Sequence, residues 1–261
     1  MLPTTIDDVI NELDRITDWA HRNRSRLGYF PALYREVTLN VKKGIEAGIF
    51  DSGERMERFD VIFANRYLKA FNNYQQGLPI TQAWKVAFDA AQQWWPIVLQ
   101  HLLLGSNAHI NLDLGITAAE TSPGEQLPDL KGDFDKINGI LVSTVDGVEE
   151  ELTQVWPLLG FLDRVVGEVD EKIAGFSLNK SRDRAWRVAE QLAPLSETER
   201  QQELDQLDKK VAMQGKIIQD PGLSGMTLLR LVRLGERGTV PEIIDILKDK
   251  SGKVSAWIQP S

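Results

Sequence analysis

Apolar positions along this chain recur every three to four residues in nearly every segment, the period of an amphipathic helix rather than the alternation of a strand. Thr4 and Thr5 precede Ile6-Asp7-Asp8, a capping residue followed by acids in a first turn. Ile6, Val9, Ile10, Leu13, Ile16 and Trp19 then share one face, and Gly28 closes the region. A second helix is predicted from Pro31, a residue suited to a first helical turn, to about Ala47. A third runs from Glu54 to about Gln76 and places Met56, Phe59, Phe63, Tyr67, Phe71 and Tyr74 along an aromatic stripe, a pattern typical of core. Gly77-Leu78-Pro79 interrupts the chain, Thr81 is read as the next cap, and Pro96 breaks or kinks the helix that carries Trp84, Phe88 and Trp95.

The most apolar stretch runs from Ile97 to about Ala119 and is predicted to be the central buried helix. Thr121 to Gly132 holds two Pro and two Gly among polar residues and reads as a surface loop. A long helical region follows from Asp133 to Ala174, with Pro157 as an internal break and Gly175 as its end signal. Further helices are expected from Ser181 to Ala193, from Ser196 to about Ile218, near Thr227–Leu234 and near Val240–Lys248. The fold class is therefore all-α: a multi-helix bundle around the helix at 97–119. The division expected is a main helical domain at 1–178 with a C-terminal helical extension at 179–261 packed on it.

Composition narrows the function classes. Thirty basic against 38 acidic residues, a net charge of −8, argues against a nucleic-acid partner. With no Cys there can be no disulfide, thiolate metal site or cysteine nucleophile. The start, MLPTTIDDVINELDRI, is acidic and amphipathic, and no window approaches 18 uncharged apolar residues, so the expectation is a cytoplasmic protein without membrane insertion. Phosphate-loop, dinucleotide-binding and nucleophile-elbow motifs are absent. Arg182, Arg184 and Arg187 stand at i, i+2 and i+5 on a helix, which does not make a single basic face.

The chemistry, if any, concentrates in the central segment, where an apolar helix carries His101, Asn107, His109, Asn111 and Asp113. Buried polar groups cost roughly 1–3 kcal/mol each when unpaired, so each needs a partner or a purpose. His109 and Asp113 are four apart and lie on one face, and Gly105 in their stripe leaves room for a close approach to the backbone. Imidazole and carboxylate suit Zn²⁺ and related ions, although His101 stands about 12 Å from His109 along a straight helix at about 1.5 Å per residue.

The string Leu104-Gly105-x-x-x-His109-x-x-x-Asp113 resembles a helix of the zinc-dependent phospholipase C and S1/P1 nuclease fold. That resemblance implies a phosphodiesterase with His109 and Asp113 as metal ligands, joined less securely by His101 and Asp60. Because no His follows His109, it implies at most a single metal rather than a cluster. Over most of the chain, Phe30-x-x-x-Tyr34-x-x-Val37-Thr38, Arg58-Phe59-Asp60-x-x-Phe63-Ala64-x-Arg66-Tyr67 and the His101–Asp113 helix resemble an uncharacterised bacterial family, a domain of unknown function. This second resemblance implies one continuous fold and adds Tyr34, Asp60, Arg66 and Asn107 as residues of one cavity.

Three readings follow for the polar cluster. In the first it is a structural network, with the histidines satisfied by Asp60, Asn107, Asn111 or Asp113. In the second it is a hydrolase site, single-metal or metal-free, in which Asp60, His101, His109 and Asp113 bind the ion or act as acid and base while Arg66 holds an anionic substrate. In the third the chain binds an apolar or lipid-like small molecule between helices, with Tyr34, Asn107 and Asn111 among its contacts.

Overall fold

The computed structural model of the chain describes residues 2–137, 139–141 and 178–248. All regular structure among the described residues is helical. The break expected at Pro157 and the end signal at Gly175 lie outside them.

Helix α1 (Ile6–Arg22) opens on the predicted cap: Thr5 Oγ1 accepts from the Asp8 amide at 3.1 Å, and Asp8 accepts in return from the Thr5 amide. Helices α2 (Tyr29–Glu46), α3 (Gly53–Gln75) and α4 (Gln82–Ala91) follow within a few residues of the boundaries that periodicity predicts. Pro96 ends up between helices, since α5 (Val98–Ser106) begins after it. From Ser106 the chain passes without interruption into a π-helical segment, Asn107–Leu114, and then into α6 (Gly115–Thr121). Nearly every residue of 97–119 is buried, with Leu99, Leu103 and Ser106 half-buried.

The long loop expected at Thr121–Gly132 shrinks to a short connection with one 3₁₀ turn, Gly124–Gln126. Helix α7 starts at 127 and continues through 137. Pro128 sits in its first turn, where the missing N–H costs nothing. Leu127, Leu130, Phe134 and Ile137 supply a buried face, which outweighs the loop-like composition.

The described C-terminal helices are α8 (Leu178–Leu192), α9 (Glu197–Gln219), α10 (Leu223–Gly235) and α11 (Val240–Lys248). Helix α8 lies on α6 and the π segment, while α9 lies on α4 and the π segment. Their Ala185, Trp186, Ala189, Leu192, Val211 and Ile218 enter the same apolar core as α1, α3 and α4. Gly115 permits this approach, because a Cβ there would stand 2.5 Å from the Ala185 carbonyl. Helix α11 closes the far side with Ile243, Ile244 and Leu247 against Tyr29, Leu33 and Leu102.

Helix starts are tied down by carboxylates from distant parts of the chain. Asp133 accepts from the Asp51 and Ser52 amides at the start of α3, at 2.7 and 3.3 Å, and from Arg55 at 2.7 Å. Asp208 accepts from the Gln82 and Ala83 amides at 2.7 and 2.9 Å, and Glu236 from the Val98 amide at 2.8 Å. Thr81, the expected cap of α4, makes no capping bond. Each carboxylate meets free N–H groups at the positive end of a helix dipole.

Candidate functional site

π-Helical hydrogen bonding over the eight residues Asn107–Leu114 is longer than a single-turn bulge and covers the polar residues His109, Asn111 and Asp113. Asp113 is fixed from two sides: Arg66 Nε donates to Oδ1 at 3.0 Å, and Trp84 Nε1 donates to Oδ2 at 2.8 Å. His109 Nδ1 lies 3.6 Å from Asp113 Oδ2, near but beyond a hydrogen bond. The His109 ring is stacked on Phe63 and meets Tyr34 edge-on, with centroids 4.5 Å apart. Burial pushes its pKa down against the pull of Asp113, so the ring is neutral at neutral pH.

His109 forms part of the wall of a cavity of about 60 Å³ between α2, α3 and the π segment. Apolar side chains dominate the lining, including Phe30, Phe59, Phe63 and Ile110; the polar contributors are Tyr34, Asp60, Ser106, His109 and Arg182. Asp60 Oδ2, Tyr34 Oη and both His109 ring nitrogens are buried without a hydrogen-bond partner among the described residues. Burial, with Glu57 adding its charge, raises the Asp60 carboxyl to about 7. Burial and the charges of Asp60 and Asp113 push the Tyr34 phenol well above its ordinary value. Arg182 is also buried, packs over the Phe134 ring at 4.4 Å and donates to the Phe134 carbonyl; burial lowers it to about 10.

The structure thus gathers Tyr34, Asp60 and His109 at one cavity and disperses the other candidates. His101 faces a second, smaller cavity with Tyr67, Trp84 and Arg26. Phe30 forms the wall common to both, its ring pressed on Gly105 so closely that a Cβ there would stand 2.4 Å away. Burial and the cations Arg26 and Arg233 lower His101 to about 3. Asn107 donates to the Val211 carbonyl on α9 at 3.0 Å and accepts from Asn111 Nδ2 at 3.0 Å, so both amides face α9 rather than the aromatic cavity. Arg66 pairs with Asp113 and with Glu120 at 3.2 Å and does not line the cavity, which leaves it committed to carboxylates instead of an anionic substrate.

The metal set drawn from the phospholipase-like resemblance does not fit these positions. His101 is walled off from His109 by Phe30, and both Asp113 oxygens already accept hydrogen bonds. Among the described residues no group of three or more His, Cys, Asp or Glu side chains could hold an ion. Three contributors escape a sequence reading: Phe63, which looks like ordinary core, Trp84 as a donor to Asp113, and Arg182, which arrives from α8. Only proximity in the fold gives them their roles. Nor is any described helix long and apolar enough to cross a membrane.

The chain belongs to the family of unknown function DUF5995, whose model matches residues 6–221. No curated protein and no solved structure matches it.

Proposed function

We propose that this protein binds a small ligand, or the end of a larger one, in the aromatic cavity beneath His109, holding an apolar body against Phe59 and Phe63 and one polar group between Tyr34 and Asp60. The observation that carries this reading is that Tyr34, Asp60 and His109 stand in the wall of an otherwise apolar cavity while Tyr34 Oη, Asp60 Oδ2 and the His109 nitrogens have no hydrogen-bond partner among the described residues. A structural network would pair such groups, as it does for Asp113 and Asn107. At about 60 Å³ the space is smaller than a cavity of about 150 Å³ that accepts benzene, so the buried part is a fragment of a few heavy atoms. A lipid-like ligand would insert only its tip.

A metal-free acid–base reaction on the same ligand is the second reading. Its support is the Asp113–His109 contact at 3.6 Å, in which a locked carboxylate orients a neutral imidazole, beside a carboxyl group raised to about 7.

The test is an amide-shift titration with C2–C5 alcohols and carboxylic acids. Binding should perturb residues of α2, α3 and the π segment, and Ser106→Leu, which fills the cavity, should abolish it. If no member of the series perturbs the wild-type lining, and Ser106→Leu remains folded and at least as stable, the cavity is a hydrated part of the core and the reading fails.

A further inference from the structure

Helix α10 (Leu223–Gly235) is apolar on two opposite faces. Its inner face, Leu229 and Val232, is buried against Ile97 beside the start of α5. Positions 223, 227, 230, 231 and 234 fall together on the other side at about 100° per residue, and all five are exposed. Leu223, Leu231 and Leu234 there are 93, 61 and 74% exposed. Thr227 adds no polar demand to the stripe, because its hydroxyl donates to the Leu223 carbonyl at 3.0 Å. A helix apolar on both sides is ordinarily buried on both, so the outer stripe calls for a cover.

The charges decide what kind of cover fits. Helix α10 carries Arg230 and Arg233 and no acid, in a chain whose net charge is −8. Arg230 is exposed among the leucines, and no carboxylate pairs with it among the described residues. The nearest acids in sequence are engaged elsewhere. Asp220 accepts from the Gly222 amide at 3.0 Å, and Glu236 pairs with Arg233 at 2.6 Å and accepts from the Val98 amide. Carboxylates farther away than about 10 Å are largely screened at 0.1 M salt, so the local balance governs. Trp94, 60% exposed, flanks the helix: Arg233 lies over its ring at 5.0 Å and donates Nε to its carbonyl at 2.8 Å. A second copy is a poor cover, since α10 against α10 brings arginines together with no acid on either helix to answer them. The leucines also stand out as a ridge, which suits a surface that deforms around them.

We propose that the outer face of α10, with Arg230 and the flanking Trp94, docks on an anionic lipid surface. Leu223, Leu231 and Leu234 enter the acyl boundary, and Arg230 meets lipid phosphates. Leucine, arginine and tryptophan in this arrangement are the residues of a helix that lies in a membrane interface. At 13 residues, about 20 Å long, α10 rests on the bilayer and does not span it.

The experiment is co-sedimentation of the full chain with vesicles of phosphatidylcholine alone and of equimolar phosphatidylcholine and phosphatidylglycerol, in dilute buffer and in physiological salt. Binding should be strongest to the mixed vesicles in dilute buffer and should fall as salt is added. Leu231→Gln/Leu234→Gln should weaken it by about tenfold or more, the scale of two leucines kept out of the apolar phase. Arg230→Gln should weaken it by about fivefold, the scale of one arginine at an anionic surface. Thr227→Leu, which fills the gap in the stripe, should tighten it. All three variants change exposed positions and should keep the wild-type denaturation midpoint, so the change in binding reads the surface and not the fold. No sedimentation with the mixed vesicles, or binding that the leucine variant leaves unchanged, overturns the proposal. A dimer that Leu231→Gln/Leu234→Gln dissolves, without vesicle binding, overturns it too and assigns the face to a second copy.

Discussion

Phe63 lies flat on the His109 imidazole, with ring centroids 3.6 Å apart and planes 8° from parallel. With Phe30, Tyr34 and Trp84 also around it, His109 behaves as one more ring in an aromatic cluster. Asp113 does not depend on it, because Arg66 and Trp84 already supply two donors. His109→Phe should therefore stay within about 1 kcal/mol of the wild type in urea, since it removes two nitrogens without a partner among the described residues and keeps the stack. Arg66→Met should cost more, about 2–3 kcal/mol, below the full penalty for breaking a buried pair because Arg66 is 26% exposed. A larger loss for His109→Phe than for Arg66→Met would contradict this division of roles.

The pH dependence of stability has two opposed limbs. Asp60 is raised from 3.8 to about 7, so the folded state keeps its proton where the unfolded state has released it. Its contribution is full below 3.8 and is lost as pH rises to about 7. His101 is lowered from 6.5 to about 3 and His109 is lowered as well, so their contribution is present above 6.5 and is lost as pH falls toward about 3. Asp60→Asn should thus gain stability relative to wild type at pH 8, up to about 4 kcal/mol at 1.36 per pKa unit, and lose that advantage at pH 4. His101→Gln should flatten the acid limb. Denaturant midpoints from pH 4 to 8 measure both, and parallel curves for wild type and Asp60→Asn would refute the assignment.

Gly105→Ala should destabilise even though alanine favours a helix by about 1 kcal/mol. The added Cβ would stand 2.4 Å from the Phe30 ring, and overpacking of this kind costs about 1–3 kcal/mol. Pairing it with Phe30→Leu should recover part of the loss. A double-mutant cycle with no coupling would show that the ring moves aside freely.

Asp208 bridges α9 to the start of α4, and Asp208→Ala should cost about 1–2 kcal/mol, the range of a lost N-cap. Thr81→Ala should cost much less, because Thr81 makes no capping bond. Amide exchange at Gln82 and Ala83 should accelerate in the first variant only. The reverse ranking would restore Thr81 as the cap.

Much of the fold is local and therefore legible in the residues themselves. Periodicity at Ile6–Trp19 and Met56–Tyr74, the Thr5 cap and the break at Pro96 each depend on neighbours within a turn or two. The pairing of His109 with Asp113 on one face is local in the same sense. What the sequence could not decide is which polar group meets which. Tertiary packing turns Leu127–Gly132 from apparent loop into helix by giving Leu127 and Leu130 a core to enter. It assigns the α4 start to Asp208 and not Thr81, because a carboxylate from α9 reaches the free amides. It also splits one polar stripe into separate environments. Phe30 on Gly105 parts His101 from His109, Arg66 and Trp84 claim Asp113, and the Val211 carbonyl on α9 holds Asn107 and through it Asn111. Periodicity fixes the face on which a residue lies, whereas hydrogen-bond partners and protonation depend on whatever the fold brings against that face.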